Sequence, residues 1–113
     1  MPTAAELFKE AEGFKREGKT EAAIAKLEAA LALDEKHVLA HMTLAVLLGK
    51  IGKHNEAIVH SQRACELEPL EVFNWSALST TYQKAFETTQ DRQYIFKAEE
   101  AKQKSSELQW QQQ

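Results

Sequence analysis

The sequence is poor in the residues that define many functional classes. A single cysteine, Cys65, rules out an intrachain disulfide. No run of about 18 apolar residues is present, so no transmembrane helix is expected. The net charge is −3, and the chain lacks the basic excess that nucleic-acid binding usually draws on. No glycine-rich phosphate loop appears, and no aromatic side chains interleave with basic ones as in a single-strand platform. Met1 to Phe14 carries Glu6, Glu10 and Glu12 where a secretory signal would carry basic residues and then an apolar run. The expectation is a cytoplasmic protein without membrane insertion and without a nucleic-acid partner.

Structure breakers are also scarce. Two prolines and four glycines punctuate 113 residues. Ala, Glu, Lys, Leu and Gln dominate, and their side chains lose little freedom in a helix. No β-branched run alternates with period two. The reading is all-α, in one domain spanning 1–113.

The chain repeats itself at an offset of 34 residues. Gly18 and Lys19 fall on Gly52 and Lys53. Ala23 and Ile24 fall on Ala57 and Ile58, Ala30 on Ala64, and Leu31 on Cys65. Ala11 and Phe14 fall on Ala45 and Leu48. One further step takes His41 to Trp75, Leu44 to Leu78 and Leu48 to Tyr82.

Each repeat reads as two antiparallel helices. Small residues (Ala11, Ala23, Ala30, Ala45, Ala57, Ala64) allow close approach, and Phe14, Leu27, Leu48 and Tyr82 fill the spaces between. Gly18 and Gly52 are placed to end the first helix in the left-handed conformation. Thr20 and Asn55 are expected to cap the second helix, followed by Glu21 and Glu56. Pro69 breaks the chain before the third repeat.

The third repeat departs from this pattern. Phe86 stands where glycine is expected, and Glu87 to Gln90 reads as a lengthened turn, with Thr89 or Asp91 capping the last helix. That helix continues through Lys102, Lys104 and Glu107 toward Trp110, as a polar cap that closes the stack. Gln109 to Gln113 is expected to fray.

This period and these landmarks resemble the tetratricopeptide repeat (TPR), and the resemblance covers nearly the whole chain. It implies a right-handed α-solenoid of three helix-turn-helix motifs with an extended C-terminal capping helix. The repeats run 4–37, 38–71 and 72–110. It also implies a protein-binding module whose first helices line a concave groove. By that resemblance the groove residues are Phe8, Glu12, Leu39, Met42, Val46, Lys50, Phe73, Ser76 and Thr80, with Ala5, Lys15, Gly49, Gln83 and Lys84 alongside. Phe8, Leu39, Met42, Val46 and Phe73 make this face more apolar than solvation requires. Methionine suits such a surface because it adapts its shape. The expected occupant is an amphipathic helix or an apolar peptide. Phe8 and Met42 have a second reading as packing between helices, and Phe73 as a residue covered by the last helix.

Some members of this family hold the C-terminal carboxylate of chaperones with lysine, asparagine and arginine. The matching positions here are Phe8, Glu12, Thr43, Phe73 and Ala77, so carboxylate-clamp chaperone binding is not expected.

Catalytic and metal-binding patterns are thin. His37 and His41 have a helical spacing that can hold a metal, but no third or fourth ligand follows at a fixed spacing. Cys65 takes the core position of Leu31, and nothing organises His54 or His60 as its base, so these histidines read as turn and surface residues. Asp34 and Asp91 sit at helix boundaries, where capping explains them. The reading is an adaptor with no enzyme activity, metal or cofactor. The rival reading is a structural protein whose free repeat ends, near Ala4 to Glu12 or Tyr94 to Trp110, stack on another copy.

Overall fold

The structure, a computed structural model, describes residues 1–112. It holds six helices and, among the described residues, no strand: α1 (Ala4–Arg16), α2 (Thr20–Leu33), α3 (Val38–Lys50), α4 (His54–Leu67), α5 (Val72–Thr89) and α6 (Gln93–Gln111). Among the described residues no helix is long and apolar enough to cross a membrane. Successive helices pack as neighbours, so α1, α3 and α5 run in one direction and α2, α4 and α6 return.

Helix ends follow from local chemistry. Thr3 and Glu6 form a reciprocal capping box at α1: Thr3 Oγ1 accepts from Glu6 N and Glu6 Oε1 accepts from Thr3 N, both at 3.1 Å. Gly18 (φ +76°) and Gly52 (φ +83°) take the left-handed conformation expected of them. In the first turn Gly18 N donates to Lys15 O and Lys19 N to Phe14 O, the paired bonds of a Schellman motif. Gly52 and Lys53 repeat them onto Gly49 and Leu48.

These turns are tighter than the sequence reading allows. The residue that closes each Schellman motif is already the N-cap of the next helix, so Lys19 and Lys53 cap α2 and α4 without a side-chain bond. Thr20 and Asn55 are therefore inside their helices rather than caps, and Asn55 Oδ1 instead accepts from Tyr94 Oη at 3.2 Å.

The third repeat holds a second correction. Glu87, Thr88 and Thr89 are an added turn of α5 rather than a long loop. No glycine or proline stops the helix there, and Gln90 ends it with φ +60°. Arg92, not Thr89 or Asp91, is the N-cap of α6, although Asp91 Oδ1 accepts from Gln93 N at 3.0 Å. The helix persists through Gln109, Trp110 and Gln111, so the expected fraying does not begin at Gln109, and Gln113 lies outside the described residues.

The core has two parts. The first gathers Ala11, Ala23, Leu27, Ala40, Leu44, Leu47, Leu48 and Ala57, with Phe8, Phe14, Ile24 and Leu31 packed on it. The second gathers Ile58, Cys65, Leu78, Tyr82, Ala85, Ala98 and Ala101, flanked by Trp75 and Tyr94. Small residues let α6 lie close along α5. Ser79 Oγ donates to Ala98 O at 2.8 Å, and Ser76 Oγ meets Ser105 Oγ at 2.7 Å. These bonds satisfy hydroxyls that close approach removes from water.

Candidate functional site

A groove of about 670 Å³ opens between α3 and α5, with α4 as its floor. This volume is in the range that holds a compact ligand or a few side chains of a partner. On α3, Leu39, Met42 and Val46 recur at helical spacing and face the groove. Phe73, Ser76, Ala77 and Thr80 of α5 form the opposite wall, and Ser61 and Ala64 of α4 lie beneath. Leu39, Val46 and Phe73 are 58%, 48% and 65% exposed, large apolar side chains with nothing over them. Met42 is half-buried.

Hydroxyls in this wall are already bonded inside the protein. Thr80 Oγ1 donates to Ser76 O at 3.2 Å, and Thr81 Oγ1 to Ala77 O at 2.9 Å. Their methyl groups therefore add to an apolar surface. Asn74, at the edge of the groove, is buried and donates from Nδ2 to Ala64 O (3.3 Å) and Glu68 O (3.2 Å). It thereby adds a second donor to carbonyls that already accept from Glu68 N and Glu71 N, and ties the end of α4 to α5.

Charge divides the groove by its ends. Lys15, in the last turn of α1, and Lys84, near the end of α5, line one end. Glu68, which ends α4, and Glu71, the N-cap of α5, line the other. None of these four is in an ion pair among the described residues.

Of the residues that the sequence reading groups together, Leu39, Met42, Val46, Phe73, Ser76 and Thr80 line this groove. Phe8, Glu12 and Lys50 do not. Phe8 packs on the first core cluster, its ring 5.0 Å from that of His37, and Glu12 is half-buried on α1. Lys50 is exposed at the end of α3.

A polar network joins the loop before α3 to α4. Arg63 grips the Glu35 carboxylate through Nε (2.6 Å) and Nη2 (2.8 Å), and donates to Glu66 at 3.3 Å. The guanidinium holds the Glu35 carboxyl down at about 2, and the carboxylates push the Arg63 pKa up. His41 Nε2 is 2.6 Å from Glu35 O, and His41 Nδ1 is 3.0 Å from His60 Nδ1. Burial, then the neighbouring His41, lowers the pKa of His60. His60 is thus a half-buried partner of the buried His41 rather than a plain surface residue. His54 is buried at the start of α4, which also corrects its reading as a turn residue. His37 Nδ1 accepts from Ala40 N at 3.1 Å and so caps α3.

Cys65 is buried, as expected, and donates from Sγ to Asn74 O at 3.4 Å. Burial, with a smaller contribution from Glu66, pushes its pKa up to about 11, which keeps it a thiol rather than a nucleophilic thiolate.

Six helices in antiparallel pairs, stacked so that the first helix of each pair faces one groove, give the fold of a small TPR-like repeat protein. Solved structures agree. The crystal structure of MamA superposes with a TM-score of 0.83 over 97% of this chain, at 17% identity. The chain spans 60% of that MamA chain. The second TPR of Spaghetti (RPAP3), bound to the HSP90 peptide SRMEEVD, matches with a TM-score of 0.73 and 25% identity, covering 96% of this chain and 91% of that one. The first TPR of the same protein, bound to the same peptide, gives 0.66 and 16% over 93% and 91%. No protein-family model and no curated protein sequence matches the chain.

Proposed function

We propose that this protein is a non-catalytic interaction module that holds an apolar peptide or helix in the groove between α3 and α5. The observation that carries the reading is the uncovered apolar wall of Leu39, Val46 and Phe73 on a packed helical scaffold. The peptide-bound TPR domains of Spaghetti support it as an analogy of fold. Within this reading the chain is one TPR domain with repeats 4–37, 38–71 and 72–110, working in the cytoplasm as an adaptor without a cofactor. Thr43, Ala77 and Phe73 line the groove where a carboxylate clamp needs fixed cations and amides, so the ligand is an apolar segment rather than a chain terminus.

The test is affinity capture from lysate with wild type, Val46→Glu and Phe73→Asp, followed by amide-shift mapping of each captured partner on the labelled protein. Partners lost by both variants, with shifts along α3 and α5, support the reading. Partners retained by both variants overturn it.

A second reading is self-association through α6, favoured by Phe96 (67% exposed) and Trp110 (76% exposed) on its outer surface. A molecular mass that rises with concentration and is restored to that of a monomer by Phe96→Ser would establish it.

A further inference from the structure

We infer that the groove selects for charge polarity in its occupant: an apolar segment that is acidic at one end and basic at the other. This rests on the docking reading above and adds the chemistry of the partner.

Because α1, α3 and α5 run the same way, residues late in each helix share one end of the groove. Lys15 and Lys84 stand there, and Lys50 ends α3 on the same side. Lys15 and Lys50, in the last turns of α1 and α3, complement the helix dipole there, whereas Lys84 stands further into α5. Their ammonium groups are nevertheless in no ion pair among the described residues. Glu68 and Glu71 hold the opposite end and are also outside any ion pair. By contrast Glu35 and Arg63, away from the groove, neutralise each other. Between the charged ends the wall is apolar, so an occupant meets three zones in a fixed order.

The spacing sets the length of the segment. Glu71 and Lys84 are thirteen residues apart along α5, or about 20 Å at the helical rise. A helix of about 13 residues or an extended stretch of about six spans that distance. An occupant with an acid near the lysines and a base near Glu68 and Glu71 gains at both ends. One with the same sign at both ends gains at one and is repelled at the other. Exposed pairs contribute little singly, so the effect is on preference more than on total affinity.

The experiment uses the full chain and synthetic, fluorescently labelled peptides of about 14 residues in three charge designs. All carry leucine at the same helical spacing. One has a glutamate pair at one end and a lysine pair at the other, made in both orders so that its own helix dipole does not decide the result. The second has glutamate pairs at both ends, and the third has lysine pairs at both. By anisotropy, the mixed peptide is expected to bind about three- to tenfold more tightly than either of the others at low salt. That gap narrows as salt is added. The double variant Lys15→Glu with Lys84→Glu, checked for an unchanged melting curve, should instead prefer the peptide with lysine at both ends. Equal affinities of wild type for the three designs would overturn the polarity and leave the groove reading standing. Failure of all three to bind would overturn both.

Discussion

His41 Nδ1 lies 3.0 Å from His60 Nδ1, an imidazole-to-imidazole hydrogen bond between α3 and α4. The tautomers follow from the neighbours. His41 Nε2 is 2.6 Å from the Glu35 carbonyl, which only accepts, so the proton of His41 is on Nε2. With a neutral His41 ring its Nδ1 accepts and His60 donates from Nδ1; with His41 carrying a second proton the direction reverses onto a neutral His60. Protonating both rings would set two N–H groups against each other.

Acid should therefore loosen the structure in the histidine range. The pKa of His60 is lowered in the folded chain, first by burial and then by His41, so the unfolded chain binds the proton more readily. The stabilisation is fully present above the ordinary histidine value of about 6.5 and is lost as pH falls through the lowered folded value. The melting temperature should drop between about pH 7.5 and about pH 5.5, and His60→Gln should flatten that slope. A second loss belongs to Glu35, whose carboxyl is held at about 2 by Arg63. It appears only as pH falls from about 4.5 toward that value. A melting temperature unchanged down to about pH 5 would refute the stabilising role of a neutral His60.

Gly18→Val and Gly52→Val should each destabilise by about 1–2 kcal/mol, read by urea unfolding. A Cβ at either position meets nothing within 4 Å, so the cost is that of holding a β-branched residue at positive φ. Gly18→Asn should cost clearly less, because asparagine tolerates the left-handed region. Equal losses for valine and asparagine would show that something other than backbone conformation matters there.

Much of this arrangement is legible in the sequence because a helix repeats its faces. The 34-residue offset aligns the small residues Ala11, Ala23, Ala45 and Ala57, which are all buried, and the two turn glycines. The spacing of Leu39, Met42 and Val46 likewise puts them on one wall. Periodicity says which face a side chain occupies but not which polar groups meet across helices. His60 finds His41 nineteen positions away, and Asn74 reaches back to the end of α4, with no local signal in either case. Phe8 shares its face with the expected groove residues, yet the cleft lies between α3 and α5, and Phe8 packs beside His37. The capping box of Thr3 and Glu6, by contrast, has a readable local signature, a threonine three residues before a glutamate.

Exposed and buried apolar residues should separate cleanly. Phe73→Ser and Val46→Ser remove side chains that touch little, so unfolding free energy should change by about 0.5 kcal/mol or less. Leu44→Ala and Leu47→Ala, both fully buried, should cost about 2–5 kcal/mol. Met42→Glu falls between them because Met42 is half-buried. A large stability loss for Phe73→Ser would mean that this ring is covered rather than available to a partner.

Asn74 offers the sharpest test of how α4 ends. Its Nδ2 donates to the carbonyls of Ala64 and Glu68, and the side chain is almost wholly buried. Asn74→Ala removes the donor while Ala64 O and Glu68 O keep their backbone partners, Glu68 N and Glu71 N, so the loss is about 0.5–1.5 kcal/mol per bond. Asn74→Asp keeps the shape but turns a carboxylate oxygen toward two carbonyl oxygens. At neutral pH it should be the less stable variant, since a buried anion then faces only acceptors. Its folded-state pKa would be raised, so its deficit relative to wild type should shrink as pH falls and the carboxyl regains a proton to donate. Urea unfolding of both variants near neutral pH and near pH 5 measures this directly. A pH-independent deficit for Asn74→Asp would mean that this side chain does not serve as the donor that closes α4.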